Sequence, residues 1–254
     1  MRTRNTSLLL TALVVILFVL GVSAPPLLAH AAVERTENNP TASNKVKIVV
    51  QFSGTDRLIR EVEFSDSTIT GLQALLNTGL DVVTKDMGWG IAVCSIEGVG
   101  CPASNCFCDL PNFWNYEYWD GSQWQAHGLG ASATNRSDGD VDGWRWGQWG
   151  GTPILPYPQL ERAWNALQWL KAQQNSDGGY GSPSSSASSS VESSLAVGAN
   201  HYKAADWRKD ANSASLLGYL MGNGAPYTQG TASAAGKFAV GASATRLCMP
   251  PLAK

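Results

Sequence analysis

The amino-acid sequence predicts an α+β protein in which a β-grasp-like sheet packs on one helix and further helices follow. Strand patterns with a period of two dominate residues 45–150, one short helical pattern interrupts them, and four helical patterns come after residue 157. The apolar share of 44% is enough to build a core, whereas the charged share of 15% leaves no basic patch. Nucleic acid is therefore not an expected partner.

The chain begins with an export signal. Arg2 and Arg4 precede the apolar run LLLTALVVILFVLGV, and Ala29 and Ala31 form an A-x-A pattern. These features predict a secretory signal peptide over residues 1–31. The alternative is an uncleaved membrane anchor, but the run is shorter than the ~20 residues that a membrane span usually needs. We therefore expect a secreted or cell-surface protein with no membrane span after cleavage.

Cysteine usage agrees with export. Four of the five cysteines lie in CSIEGVGCPASNCFC, namely Cys94, Cys101, Cys106 and Cys108. In an oxidising compartment they predict two disulfides, and the lack of a C-x-x-C pair makes a zinc site the weaker alternative. Three connectivities are open. We expect nested pairing, Cys94–Cys108 outside Cys101–Cys106, because a strand-turn-strand would set the outer pair opposite each other. Cys248 is left over.

The first elements follow in order along the chain. Residues 32–44 are polar and without periodicity, so they predict a disordered linker. KVKIVVQF (45–52) and LIREVEF (58–64) predict a hairpin of two strands. Thr70 is placed to cap a short helix with leucines on one face, and GIAVCSI (90–96) predicts the third strand.

A tryptophan-rich hairpin and a last strand close the first region. Asp120-Gly121 is a two-residue turn signal between NYEYW and SQWQ, and DVDGWRW predicts the final strand. Six of the ten tryptophans lie between residues 114 and 149. Because side chains alternate along a strand, Trp144 and Trp146 share one strand face. This concentration indicates either a Trp-rich core or a platform for a flat or carbohydrate-like ligand.

The second half of the sequence is helical. PQLERAWNALQWLKAQQ predicts a helix that ends at the Asp177-Gly178-Gly179 segment, and the low-complexity SPSSSASSS (182–190) predicts a loop. Three more helical stretches lie around VESSLAVGAN, SASLLGYLM and TASAAGKFAVGASA. The last is rich in small residues, so we expect it to have a close helical neighbour.

One segment has the beginning of a calcium-binding pattern. Asp138, Asp140, Asp142 and Gly143 read D-x-D-x-D-G. A loop of this type needs a bidentate carboxylate at its twelfth position, which here is Trp149. We therefore interpret the segment as a hairpin turn that feeds a strand, and we assign no metal site.

The first region, 45–150, resembles the C-terminal β-domain of the transcobalamin and intrinsic factor family. The motifs that carry the resemblance are ITGLQALLNTG, VCSIEGVG, FWNYEYW and DGDVDGWRW. In that family a corrinoid lies between the β-domain and an α/α toroid. The resemblance therefore implies a transcobalamin-like β-grasp domain with cobalamin as a bound ligand, and it implies no other cofactor.

The second region, 158–254, resembles the repeat of terpene cyclases and protein prenyltransferases. The residues that fill the repeat motif, with tyrosine in place of its tryptophan, are Trp169, Leu170, Gln174, Gly178 and Tyr180. The resemblance implies an incomplete α/α toroid-like helical region, because four helical stretches are too few to close a toroid. It also comes second here, whereas the toroid comes first in the animal carriers. Three explanations stay open: a truncated gene product, a partial helical layer on the β-domain, or a partner chain that completes the layer.

Enzyme chemistry has little support in the sequence. Terpene cyclases protonate their substrate from a D-x-D-D cluster, and Asp177, Asp206 and Asp210 do not form one. Prenyltransferases need an Asp/Cys/His zinc set, which is also missing. We expect His127 and His201 to be surface or satisfied polar residues rather than catalytic bases. No catalytic residue is assigned.

The sequence thus predicts an exported non-catalytic binding protein for a corrinoid or another small ligand at the cell surface. The residues expected to bind the ligand are Trp114, Tyr116, Trp119, Trp144 and Trp146. One alternative is a structural or adhesion module at the cell surface that binds glycan or protein. The other is a degenerate terpene-cyclase-like enzyme.

Overall fold

The computed structural model describes residues 43–245. The signal peptide, Cys248 and nearly all of the expected linker lie outside the described residues. Asn44, the last residue assigned to that linker, is already the first residue of a strand. The described residues belong to one compact unit.

Strands dominate the first half of this part and helices the second half. The strands are β1 (Asn44–Gln51), β2 (Arg57–Phe64), β3 (Ile69–Thr70), β4 (Val82–Asp86), β5 (Ile91–Ile96), β6 (Val99–Gly100), β7 (Phe113–Trp119), β8 (Trp124–Ala126), β9 (Asn135–Arg136) and β10 (Val141–Gly147). The helices are α1 (Gly71–Leu76), α2 (Tyr157–Ala172), α3 (Ala187–Ala199), α4 (Leu216–Gly230) and α5 (Ala232–Ala244), with a 3₁₀ turn at Ala103–Asn105.

An open five-stranded sheet lies at the centre of the fold. Its strand order is β2-β1-β10-β7-β8, with β1 and β10 parallel and the other pairs antiparallel. A three-stranded sheet, β4-β5-β6, and a two-stranded sheet, β3-β9, accompany it. The α+β class predicted from the sequence is confirmed, and none of the sheets in the described residues is closed.

Both faces of the five-stranded sheet are buried. On one face, Ile48 and Val50 of β1 pack with Ala74 of α1. On the opposite face, Val49 packs with Tyr157 of α2. A strand that is covered on both sides reads as a nearly continuous apolar run, which explains the KVKIVVQF pattern.

Local signals set the hairpin and the first helix as expected. Thr70 accepts a hydrogen bond from the backbone N–H of Gln73, which caps α1. Asp120 and Gly121 lie in the β7–β8 turn, where Gly121 has a φ of 99°. Hydrogen bonds from the backbone of Gln123 and then of Ser122 hold the pKa of the Asp120 carboxyl well below its usual range. The cap and the hairpin are confirmed, but the expected two-residue turn is wrong, because four residues, 120–123, connect Trp119 to its partner Trp124.

Two local expectations are wrong. The serine-rich segment 182–190 is not all loop, because Ser186 accepts a hydrogen bond from the N–H of Ser189 and α3 begins at Ala187. Serine is a weak helix former but a good N-cap, so the run divides at that residue. GIAVCSI is also not the third strand, since the short strands β3 and β4 precede it.

The four clustered cysteines form two disulfides, but the expected nested pairing is wrong. Cys94 is bonded to Cys106, and Cys101 is bonded to Cys108. Cys101 is already the neighbour of Cys94, because its N–H donates to the Cys94 carbonyl at 2.8 Å. The 3₁₀ turn that follows brings Cys106 back to within 4.6 Å of Cys94, measured between Cα atoms. The bonds therefore cross instead of nesting.

Peptide mapping of the unreduced protein should recover the two crossed linkages. Replacing Cys94 and Cys106 together by alanine should lower the free energy of unfolding by about 2–4 kcal/mol, because Cys94 is fully buried and the unfolded chain loses a constraint. Urea denaturation measures the loss. A peptide that joins Cys94 to Cys108 would contradict the pairing.

Candidate ligand-binding sites

The sheet register divides the five aromatic residues expected to bind ligand between two faces. Trp144 lies opposite Tyr116, and Trp146 lies opposite Trp114, on the face that packs with α1. Trp119 lies on the other face, where its ring contacts Tyr157 of α2. The five therefore do not form one platform.

Burial limits which of these five aromatic residues a ligand can contact. Trp114 is 6% exposed and Trp144 is 3% exposed, and the Trp114 indole N–H donates to the carbonyl of Val99. The Tyr116 ring stacks on His127 at 4.0 Å and on Trp144 at 4.6 Å between centroids, so both of its faces are occupied. Trp119 and Trp146 are also partly exposed, and their rings contact Trp124 and Tyr157, and Trp114, respectively.

A buried carboxylate organises the polar groups on this face. Asp142 is fully buried, and its Oδ2 accepts a hydrogen bond from the Tyr116 hydroxyl at 2.7 Å. Its Oδ1 lies 3.2 Å from His127 Nε2 and 2.9 Å from Arg136 Nε. Burial, followed by the charge of Asp142, raises the pKa of Tyr116 far above its ordinary value. The phenol therefore stays protonated as a donor to Asp142.

We call the cluster of Asp142, Tyr116, His127 and Arg136 the hub, and it is also packed against the start of α1. A side chain at Gly71 would overlap the Tyr116 hydroxyl, so only glycine fits where the helix meets the hub. His127 lies in this cluster with Asp142 as its hydrogen-bonding partner, which agrees with the expectation that it is a satisfied polar residue. The arrangement is a desolvated ion-pair network that joins β7, β9 and β10.

The three aspartates of the calcium-like pattern are each engaged by protein donors. Asp138 accepts from the backbone N–H of Lys45 at 2.7 Å, and Asp140 accepts from that of Ser137 at 2.8 Å. Asp142 belongs to the hub. Among residues 43–245, no group of three or more histidine, cysteine or acidic side chains is arranged to hold a metal ion.

A cavity of about 280 Å³ lies where the sheet meets the helical region, and we call it the junction cavity. Its lining combines residues of both halves of the chain: Arg60, Thr78, Gly79, Leu80, Glu97, His201, Tyr202, Lys203 and Asp206. Lys203 and Asp206 are exposed and form part of its rim. The cavity therefore depends on both halves being present.

Arg60 fixes the wall of the junction cavity. It is 6% exposed, and its Nη2 donates to the carbonyls of Asn200 and His201 at 3.1 and 2.9 Å. Its guanidinium carbon lies 3.7 Å from the centre of the Tyr202 ring. Burial lowers the pKa of Arg60, yet an arginine remains charged at neutral pH. Arg60 thus joins the sheet to the helical region by directional bonds.

A row of ring contacts connects the junction cavity with the expected aromatic residues. The His201 ring lies 4.9 Å from Phe52, which lies 5.8 Å from Trp114, which in turn lies 5.5 Å from Trp146. His201 also contacts Asp56 at 2.8 Å. The sequence patterns did not single out Arg60 or Phe52. The available signal was Arg60 itself, since it occupies a core-facing position between Leu58 and Val62.

The toroid-like motif makes a structural connection between helix ends. Gln174 is fully buried, and its Nε2 donates to the carbonyl of Gly178 at 2.8 Å and reaches that of Trp207 at 3.4 Å. The Trp207 indole N–H donates to the Tyr180 hydroxyl at 2.7 Å. Trp169 of the same motif is 65% exposed. The motif residues thus tie the end of α2 to the segment before α4.

The three aspartates considered as a cyclase-like acid cluster do not all lie in one cavity. Asp177 and Asp210 line one polar cavity of about 550 Å³, whereas Asp206 lines the junction cavity. The Asp177 carboxylate accepts from Gly179 and Ser185 close by. The Ser213 hydroxyl is the main cause that lowers the pKa of Asp210. Both carboxylates therefore hold their own turns.

No protein-family model matches the sequence, and no curated protein matches it either. No helix within residues 43–245 is long and apolar enough to cross a membrane.

Replacing Asp142 by alanine should lower the free energy of unfolding by about 3–5 kcal/mol, because it removes the fully buried and closer one of the two carboxylates that pair with the nearly buried Arg136. Tyr116→Phe removes one hydrogen bond to a carboxylate and should cost less, about 1.5–3 kcal/mol. Urea denaturation followed by far-ultraviolet circular dichroism compares the two variants. Equal losses would show that Asp142 is not the centre of the network.

Proposed function

We propose that this chain is an exported, non-catalytic binding protein that holds a small ligand between its sheet and its helices. The observation that carries the proposal is the junction cavity, which takes its lining from both halves of the chain. Arg60 holds those halves together through backbone carbonyls, so the cavity is shaped before a ligand arrives. Preorganisation of this kind favours binding because less ordering is needed on association.

Two disulfides support export. Disulfides persist in oxidising compartments and are rare in the cytosol, and both bonds here lie in the described residues. The signal peptide expected over residues 1–31 points the same way. A secreted or cell-surface location agrees with both features.

The architecture supports the resemblance to vitamin carriers. A sheet with a central parallel pair, β1 and β10, and a helix after its first hairpin agrees with the β-grasp interpretation. The buried Gln174 contacts agree with the toroid-repeat interpretation. The packing of α2 on the sheet favours a partial helical layer, and in the carriers the ligand lies between two such parts.

The size of the junction cavity limits what it encloses. Its volume of about 280 Å³ lies just below the roughly 300–1,000 Å³ of typical ligand pockets. A corrinoid is larger, so it would insert one edge or one amide side chain and leave the rest over the rim. Lys203 and Asp206 on that rim offer a donor and an acceptor to amide groups. A partner chain over the helical region is a further way to enclose a large ligand.

Titration calorimetry with cyanocobalamin and dicyanocobinamide tests the proposal. At least one probe should bind saturably to the whole exported chain. Lys203→Trp should weaken that binding by about tenfold or more, because an indole at the rim closes the entrance, and a factor of ten corresponds to about 1.4 kcal/mol. Lys209→Trp is the matched control, since Lys209 lines the separate polar cavity.

Thermal melting of both variants, recorded in parallel, shows that each remains folded. Lys209→Trp should bind like the unchanged protein. If neither corrinoid binds, the corrinoid assignment fails, and if both variants lose affinity equally, the site is elsewhere. Retention of affinity in Lys203→Trp would likewise move the site away from the junction.

A further inference from the structure

We infer that a second site, separate from the junction cavity, binds a neutral saccharide under the loop that follows β10. Two adjoining cavities of about 260 and 330 Å³ lie there, and both are lined by Arg145 and Gly151. We call the combined depression the Trp149 groove, after the exposed tryptophan on its wall. The inference does not depend on the proposed function, because the two sites share no lining residue.

Two tryptophans give the groove an aromatic wall. Trp124 is held in place, since its indole N–H donates to the carbonyl of Leu155 at 2.8 Å and its ring meets Trp119 at 5.6 Å. Trp149 is 66% exposed and lies between Gly147 and Gly150, which have φ values of 138° and 70°. One indole is thus fixed, and the other is displayed on a loop whose backbone needs glycine on both sides.

The floor of the groove carries a charge that is already neutralised. Arg145 is 4% exposed, and its Nε lies 3.0 Å from the Glu117 carboxylate. Its Nη1 donates to the carbonyl of Gln148 at 3.1 Å, which holds the loop down. Arg145 is the only cationic side chain that lines either of the two described cavities, and Glu117 the only anionic one. The groove therefore has little net charge to attract an anion or a cation.

Gln51, which lines the groove, carries a buried acceptor without a partner. Gln51 is 2% exposed, and its Nε2 donates to the carbonyls of Thr152 and Pro153 at 3.2 and 3.3 Å. Its Oε1 has no hydrogen-bond partner among the described residues. A buried acceptor without a hydrogen bond costs free energy, so a ligand hydroxyl that donates to Oε1 of Gln51 would be favoured.

These features together select a polyhydroxylated neutral ligand. The C–H face of a sugar ring packs on an indole, and its hydroxyls both donate and accept hydrogen bonds. Gln51, Arg145 and Gln148 line the groove and carry the complementary polar groups. A phosphate-bearing or carboxylate-bearing ligand finds no unpaired cation in this lining. The same sugar chemistry occurs in soluble oligosaccharides and in insoluble polysaccharides.

The test measures binding of cellohexaose, chitohexaose, maltohexaose and hexagalacturonate to the whole exported chain by titration calorimetry. At least one neutral hexasaccharide should bind, and hexagalacturonate should bind no more tightly. Pull-down on insoluble cellulose, chitin and starch then distinguishes polymer from free oligosaccharide as the source. Binding of hexagalacturonate alone, or of no saccharide at millimolar concentration, would overturn the inference.

Two matched variants locate the site. Trp149→Ala should weaken binding by about tenfold or more, because truncating a contact tryptophan commonly costs at least the 1.4 kcal/mol of that factor. Trp89→Ala is the control, since Trp89 is also an exposed loop tryptophan, at 76%, outside the groove. It should bind like the unchanged protein, as should Lys203→Trp of the junction cavity. Equal losses in the two alanine variants would mean non-specific adhesion and would refute the site.

Discussion

The parallel pairing of β1 with β10 is the constraint on which the other parts of this structure depend. It joins residues 47–51 to residues 141–145, so almost the whole β-rich half of the chain is a loop closed by this contact. Closing such a loop costs conformational entropy before any long-range contact forms. Three bonds at the start of the pair offset that cost: Lys45 N–H to Asp138 Oδ1, Gly139 N–H to the Lys45 carbonyl, and Lys47 N–H to the Asp140 carbonyl.

These three hydrogen bonds give the aspartate-rich segment, residues 138–142, a structural role in the pairing of β1 with β10. Asp138 holds the end of β1, and Asp140 shapes its own turn through Ser137. Asp142 then enters the sheet on the face shared with Tyr116. Alternation along β10 fixes this outcome, because Trp144 and Trp146 must follow Asp142 onto the same buried face. Trp144 and Trp146 therefore pack in or against the core, and only the surface that this packing leaves exposed is available to a ligand.

Sequence patterns were sufficient for most elements whose determining contact is local, although the local cap at Ser186 was missed. The cap at Thr70, the hairpin at Asp120-Gly121 and the helical periodicities depend on neighbours a few residues apart, and all are present. The disulfide pairing depends on the 3₁₀ turn between strands, and spacing alone does not reveal that turn. The face and the burial of each tryptophan depend on the β1–β10 pairing, whose partners are about ninety residues apart in sequence. For the junction cavity, the available sequence signal was Arg60, a charged residue at a core-facing position of a strand.

Two buried arginines give the two proposed sites different electrostatic surroundings. Arg145 contacts a carboxylate directly, so its charge is cancelled within the protein and its surroundings favour neutral hydroxyl groups. Arg60 instead donates to the backbone carbonyls of Ile59, Asn200 and His201, and the charge of Glu97 in the same cavity acts on its guanidinium. The junction cavity therefore has charged groups of both signs in its lining, with Lys203 and Asp206 on its rim. The sheet holds the two arginines on different strands, Arg60 on β2 and Arg145 on β10.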